Sequence, residues 1–158
     1  MKHQITPCLW FDGKAEEAAR FYVSVFKNSN IKSISHYGKE GYEIHNQKEG
    51  TVMTVEFEIN GQTFTALNGG PIFQFNESVS FQVYCDTQDE IDYYWDTLTA
   101  DGGEESYCGW LKDKFGLSWQ IVPSILVELM RDQAKAGRIM EVFMQMRKLD
   151  IEKIKNAY

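Results

Sequence analysis

The chain states one pattern of elements twice. Ile5 to Phe11 reads as a short apolar strand, followed by Asp12 and a helix ending in Phe21-Tyr22-Val23-Ser24-Val25-Phe26. Val79 to Cys85 reads as another strand, followed by Asp86 and a helix carrying Tyr93-Tyr94-Trp95-Asp96-Thr97-Leu98. Further strand signals follow each helix, with one clear hairpin per half. A βαβββ unit occurring twice in 158 residues leaves few folds open, because each helix needs a sheet face to cover. It also predicts that any functional cleft lies between curved sheets.

The first helix is expected over Lys14 to Lys27. Ala15, Ala18, Ala19, Tyr22 and Phe26 fall at the spacing of one buried stripe. Asp12 is the expected N-cap, Glu16 and Glu17 suit the positive end of the helix dipole, and Lys27-Asn28 suits its end. The second helix opens on the capping-box sequence Thr87-Gln88-Asp89-Glu90 and repeats the stripe with Ile91, Tyr94, Trp95 and Leu98.

The strongest hairpin signal runs from Val52 to Asn68 around Asn60-Gly61, a pair suited to the positive φ angles of a type I′ turn. That turn pairs Ile59 with Gln62, Phe57 with Phe64, Val55 with Ala66 and Met53 with Asn68. Met53, Val55, Phe57, Phe64 and Ala66 then form a core face. Thr54, Glu56, Glu58, Thr63, Thr65 and Leu67 form a mixed face, either solvent or cleft wall. Gly109 to Val122 predicts a second hairpin around Asp113-Lys114-Phe115-Gly116, and residues 68–76 are the natural joint between halves.

From Pro123 the pattern becomes helical. Ile125, Leu126, Leu129 and Met130 form one stripe, Ile139, Phe143 and Met146 another, and Asp150 caps a last short helix through Ile154 to Tyr158. Such stripes signal core or subunit interface rather than a cofactor box.

Composition narrows the partners. A net charge of −7, from 16 basic and 23 acidic residues without a basic cluster, argues against a nucleic-acid partner. The N-terminus has no signal-peptide run, and no stretch approaches the roughly 20 apolar residues of a membrane span. Cys8, Cys85 and Cys108, odd in number and without metal spacing, read as reduced thiols of a cytoplasmic protein.

Ile5-Thr6-Pro7-Cys8-Leu9-Trp10-Phe11-Asp12-Gly13, with Ala15-Glu16-Glu17-Ala18, resembles the opening of the PhnB-like branch of the vicinal oxygen chelate superfamily. That superfamily includes glyoxalase I, extradiol dioxygenases and the bleomycin- and fosfomycin-resistance proteins. Residues 79–86, 108–113 and the run Asp113-Lys114-Phe115-Gly116-Leu117-Ser118-Trp119-Gln120-Ile121 extend the resemblance, which covers roughly residues 4–123. It implies an α+β fold: two βαβββ modules, about residues 4–70 and 77–123, forming a cupped eight-stranded mixed sheet. These make a domain of residues 1–123, with residues 124–158 as a helical C-terminal extension. It also implies a homodimer, with the tail adding an apolar surface. Proteins of this branch often carry the name 3-demethylubiquinone-9 3-methyltransferase, yet no Gly-rich loop here follows a parallel strand to cradle a nucleoside cofactor.

The superfamily's chemistry uses a divalent ion held by His and Glu. By strand alignment its four ligand positions fall near Thr6, at Thr65 or Leu67, at Ser80 and at Gln120, none of which supplies imidazole, carboxylate or thiolate. His3, at the N-terminus, is the first residue to reconsider as a ligand; His36 and His45 are expected to be solvated. No metal and no cofactor is therefore expected. Alternation places Cys8 and Trp10 inward on the first strand, Ser80, Gln82 and Tyr84 on the fifth, and Ser118 and Gln120 on the last. With Thr65 and Leu67, these describe an aromatic wall bearing neutral polar groups, as in a small-molecule pocket. Packing alone explains them equally well, as it does Trp110 and Trp119. Glu56 and Glu58 are general bases only if their face lines the cleft, and Cys8 reads as a buried structural thiol. No catalytic residue is assigned. The expectation is a metal-independent protein binding a small organic molecule. The alternative is an enzyme: a metal-dependent lyase, isomerase or dioxygenase, or the methyltransferase its relatives are named for.

Overall fold

The structure, a computed structural model, describes residues 4–158, and the chain divides between residues 74 and 75 into two compact units. The first contains β1 (Cys8–Phe11), α1 (Ala15–Val25), β2 (Ser29–His36), the single turn α2 (Tyr42–His45), β3 (Val52–Ile59) and β4 (Gln62–Asn68). Its four strands lie in the order β1-β4-β3-β2, with β1 parallel to β4 and the other pairs antiparallel. The second unit repeats this with β5 (Ser80–Cys85), α3 (Gln88–Thr99), β6 (Glu104–Glu105), β7 (Trp110–Lys112) and β8 (Ser118–Pro123), in the order β5-β8-β7-β6. The tail forms α4 (Ser124–Leu129), α5 (Gln133–Phe143) and α6 (Ile151–Ala157). The fold is α+β, two βαβββ modules with C-terminal helices. The eight strands are divided into two four-stranded sheets.

In the first unit every residue of the expected α1 stripe is buried, with Tyr22 wholly inaccessible and stacked on Phe57 at 6.0 Å between ring centroids. Phe57 stacks in turn on Phe64 at 5.3 Å. Burying a side chain of this size contributes roughly 1.5–3 kcal/mol, so this column and the alanines that let α1 approach it hold helix to sheet. The β3–β4 turn carries φ of 47° at Asn60 and 81° at Gly61, and pairing runs from Ile59–Gln62 to Thr54–Leu67 in the predicted register.

The ends of the elements differ from the sequence reading. The β1 ladder begins at Cys8 rather than Ile5, because Pro7 has no N–H to offer; its carbonyl accepts from Thr65 and closes the pairing. Asp12 is exposed and does not cap α1. The N–H of Ala15 instead donates to Asn68 Oδ1 at 2.9 Å, and Asn68 Nδ2 donates to the Val52 carbonyl at 3.0 Å. The cap comes from the end of β4, beyond the reach of any local pattern. The helix ends earlier than Lys27-Asn28 suggested, at Val25, where Phe26 caps it in an extended conformation; Asn28, at φ 52°, turns the chain into β2.

In the second unit, Thr87 and Glu90 form the full capping box, and Ile91, Trp95 and Leu98 are buried while Tyr94 is half-buried. Buried Asp113 builds the β7–β8 turn. Its Oδ1 accepts from the N–H groups of Phe115 and Leu117, and its Oδ2 from Trp119 Nε1 at 2.9 Å. The tail's stripes close on one another: Leu126, Ile139, Leu149 and Ile154 form a core that Leu129, Met130, Phe143 and Met146 pack against. Asp150 caps α6 through Lys153 N–H.

Main-chain bonds fasten this tail. Cys108 N–H donates to the Met146 carbonyl at 2.8 Å and Gly109 N–H to that of Arg147 at 2.9 Å. Only glycine fits at 109, where φ is +80° and a Cβ would stand 2.6 Å from the Ile121 carbonyl oxygen. Gln88 adds a side-chain clamp, donating to the Leu149 carbonyl and accepting from Ile151 N–H. Among the described residues no helix is long and apolar enough to cross a membrane.

Candidate functional site

Period-two alternation gives each sheet one face under its helix and one face away from it. In the first unit Leu9, Phe11, Val55, Phe57, Phe64 and Ala66 are buried on the α1 side. The opposite face carries Cys8 beside Thr65 and Trp10 beside Leu67, with Glu56 next to Thr65 and Thr54 next to Leu67. The four predicted site residues of this half are therefore neighbours, and Glu56 and Glu58 share their face. Glu58 is paired with Lys32 at 2.5 Å.

Two of these groups differ from expectation. Cys8 is exposed on the sheet face, not buried, though partial burial still pushes its thiol above its ordinary pKa. Its neighbour Thr65 supplies no base. Trp10 is engaged within its own unit: its indole N–H donates to the Gly70 carbonyl at 2.8 Å, and its ring meets the edge of Phe73 at 5.0 Å.

In the second unit Cys85, Leu111, Trp119 and Ile121 are buried on the α3 side. The opposite face is a grid fixed by strand register. One row runs across Ser80, Ser118, Lys112 and Glu104, and the next across Gln82, Gln120 and Trp110. Four predicted site residues form one hydrogen-bonded chain on it. Tyr84 hydroxyl donates to Gln82 Oε1 at 2.9 Å, Gln82 Nε2 approaches Gln120 Oε1 at 3.4 Å, and Gln120 Nε2 donates to Ser80 Oγ at 2.7 Å. The chain orients both amides and leaves Gln82 and Tyr84 exposed to solvent.

At the β6–β7 end of this face lies a cavity of about 420 Å³, within the usual range of small-molecule sites. Glu77, Glu104, Tyr107, Trp110, Lys112 and Ser118 are among its lining residues. Lys112 is paired with Glu77 at 2.5 Å, and its ammonium holds that carboxyl below the usual range while its own pKa rises. Ser118 is 1% exposed, and its hydroxyl has no hydrogen-bond partner among the described residues. Of the charged lining residues the sequence pointed to none. The expected turn at Asp113-Lys114-Phe115-Gly116 would set Lys112 against Leu117 rather than Ser118, and β6 is two residues long with no periodicity that could place Glu104.

The donor set does not fit the divalent ion of the superfamily. In the first unit Thr6 is exposed and Thr65 and Leu67 bring one hydroxyl and a hydrocarbon; in the second Ser80 and Gln120 are bonded to each other. Neutral oxygens of this kind do not hold a transition-metal ion without imidazole, thiolate or carboxylate. Among the described residues no three His, Cys, Asp or Glu side chains gather as a metal-binding group; His3 lies outside those residues. His45 is not simply solvated, as the sequence suggested. Its Nδ1 accepts from Gln47 N–H, its Nε2 lies 3.0 Å from the Glu40 carbonyl oxygen, and its ring packs on Tyr37. Both nitrogens serve to shape the loop between β2 and β3.

Paired βαβββ modules, each with a helix on one side of a mixed sheet and polar groups on the other, define the vicinal oxygen chelate fold of glyoxalases and antibiotic-resistance proteins. The chain belongs to the family described as 3-demethylubiquinone-9 3-methyltransferase, which matches residues 3–122. It is similar to the structure of a PhnB protein from Bacillus cereus, with 39% identity and a TM-score of 0.67 over 77% of this chain and all of that one. Protein PA1353 from Pseudomonas aeruginosa shares the fold at 18% identity and a TM-score of 0.60, covering 76% of this chain and 96% of its own. The fosfomycin resistance protein FosX from Mesorhizobium loti does so at 12% identity and 0.57, covering 83% and 98%. No curated protein matches the sequence.

Proposed function

We propose that this protein binds a small organic molecule without a metal, as a homodimer in the cytoplasm. The observation that carries the reading is the chain Tyr84–Gln82–Gln120–Ser80, an oriented set of neutral donors and acceptors on an open sheet face. Structural hydrogen bonds are normally buried or made to backbone. Here side chains order one another and leave their outer valences to solvent, which suits recognition of a polar ligand. The positions that the resemblance aligns with the ligands of the superfamily ion hold this amide–hydroxyl pair. The dimer follows the habit of the fold, and the cytoplasm follows from three free thiols.

Methyl transfer, which the family description names, is the competing reading. A nucleoside cofactor would need backbone N–H groups at a strand-to-helix turn. At the first such turn one of these, Ala15 N–H, is already held by Asn68, and the second turn is closed by its own capping box.

The test is a thermal-shift screen of polar aromatic metabolites in the presence of EDTA, with Gln120→Leu as the control. Saturating ligand at about 100 times its Kd adds about 2.7 kcal/mol, a rise of roughly 5–10 °C for a chain of this size. That rise should be lost in Gln120→Leu. Stabilisation that requires Zn²⁺, Ni²⁺, Mn²⁺ or Fe²⁺, or turnover of S-adenosylmethionine, would replace this reading with an enzymatic one.

A further inference from the structure

We infer that the β6–β7 cavity is the head-group end of this ligand site and takes an organic cation, a protonated amine on a flat apolar body. The inference rests on the small-molecule reading above and adds the chemical class of the ligand.

Three observations lead to it. The first is Ser118. A buried hydroxyl without a partner costs roughly 1–3 kcal/mol, a cost that a well-packed strand avoids by using alanine or valine. Its register partners are Ser80 on one side and Lys112 on the other, so the hydroxyl sits within the polar row rather than in the core. It lines the cavity and offers an acceptor to an N–H group there.

The second is the charge balance. Two carboxylates, Glu77 and Glu104, stand in the cavity against one ammonium, Lys112; Glu105 also lines it but lies opposite Leu111, with its carboxylate turned to Trp95 on the α3 side. Lys112 is engaged by Glu77, and Glu105 accepts from Trp95 Nε1 at 2.9 Å with Arg147 at 3.9 Å. Glu104 sits opposite Lys112 in the register, in the same row as Ser118. A cation therefore enters a net negative field, whereas an anion would have to displace Glu77 from Lys112 while facing Glu104.

The third is the wall. Trp110 and Tyr107 line the cavity, and aromatic faces attract cations while covering a flat apolar body. Tyr107 already holds Arg147 at 5.2 Å from its ring centroid, so this wall accommodates a cation within the protein itself. A bare metal ion is not favoured, since among the described residues the carboxylates do not gather into a chelating group.

Three probes of one size and different charge test the inference: benzylamine, benzoate and benzyl alcohol, each titrated by calorimetry into the full chain. Benzylamine should bind, and benzoate and benzyl alcohol at least about tenfold more weakly. Glu104→Gln, on an exposed two-residue edge strand, and Ser118→Ala should each weaken benzylamine roughly tenfold, the equivalent of one charge-assisted bond. Circular dichroism of each variant checks that its fold is intact. Equal binding of benzoate or benzyl alcohol would overturn the cation assignment and leave the small-molecule reading standing. Benzylamine binding that is untouched in both variants would place the amine elsewhere and overturn the inference. Failure of all three probes overturns it as well, and the metabolite screen then decides the broader reading separately.

Discussion

Replacing Asn68 by alanine should cost more stability than replacing Asp12, although Asp12 is the residue that a local reading makes the helix cap. Asn68 is 6% exposed and serves two main-chain groups at once: the first N–H of α1, at buried Ala15, and the Val52 carbonyl of β3. Alanine leaves both without a partner. A lost helix cap costs about 0.5–2 kcal/mol and an orphaned buried polar group roughly 1–3, so the two together amount to about 1.5–5 kcal/mol. For a chain of this length that lowers Tm by about 3–20 °C, at roughly 2–4 °C per kcal/mol. Asp12→Ala, at an exposed position, should fall within about 0.5 kcal/mol of the parent. Asn68→Asp is the intermediate case. It keeps an acceptor for the helix N-terminus but loses the donor to Val52 and sets a carboxylate against a carbonyl. Urea denaturation followed by circular dichroism, with the slope checked for constancy, measures all three. A larger loss for Asp12→Ala than for Asn68→Ala would refute the reasoning and restore the local cap.

Two further outcomes concern titration and reactivity. Asp92 is held below its ordinary pKa first by Gln88 and then by Lys148, and Asp150 by the Lys153 N–H that it caps. Depressed carboxylates contribute stability above their unfolded pKa and lose it as pH falls through the folded value. Docking of α6 should therefore hold down to about pH 4 and loosen below it, as Ile154 methyl resonances will report; loosening near neutral pH would contradict this. Cys85, buried and beside Glu90 and Asp86, has its thiol pKa pushed up to about 12, while Cys8 is exposed. Iodoacetamide at pH 8, read by mass spectrometry, should label Cys8 well before Cys85; the reverse order would overturn the placement of both.

Much of this was legible in the sequence because the relevant physics is local. The Asn60-Gly61 turn fixes the β3–β4 register, and register fixes which side chains share a face, so the turn alone put Thr65 and Leu67 on the face away from α1. Thr87 to Glu90 placed the start of α3, and the alanine–tyrosine stripe placed the buried side of α1. Ser80, Gln82, Tyr84 and Gln120 were found by alternation, and their grouping on one face follows from parallel pairing of β5 with β8. Cys8 was misread because its strand is paired on one side only, so alternation gave its face but not its exposure.

What the sequence by itself determined, then, is period, turn and cap: two βαβββ modules and a helical tail. Only the tertiary structure decided the contacts made across long chain separations. Asn68 reaches Ala15, Gln88 clamps Leu149 and Ile151, and Gly109 receives the tail at Arg147. The cavity belongs to the same group. Glu77, Glu104, Lys112 and Ser118 come from four different segments, and none of them carries a local signal of the others. The physical reason is that propensity and periodicity act over a few residues, whereas hydrogen-bond satisfaction and charge balance are settled only when distant backbones meet.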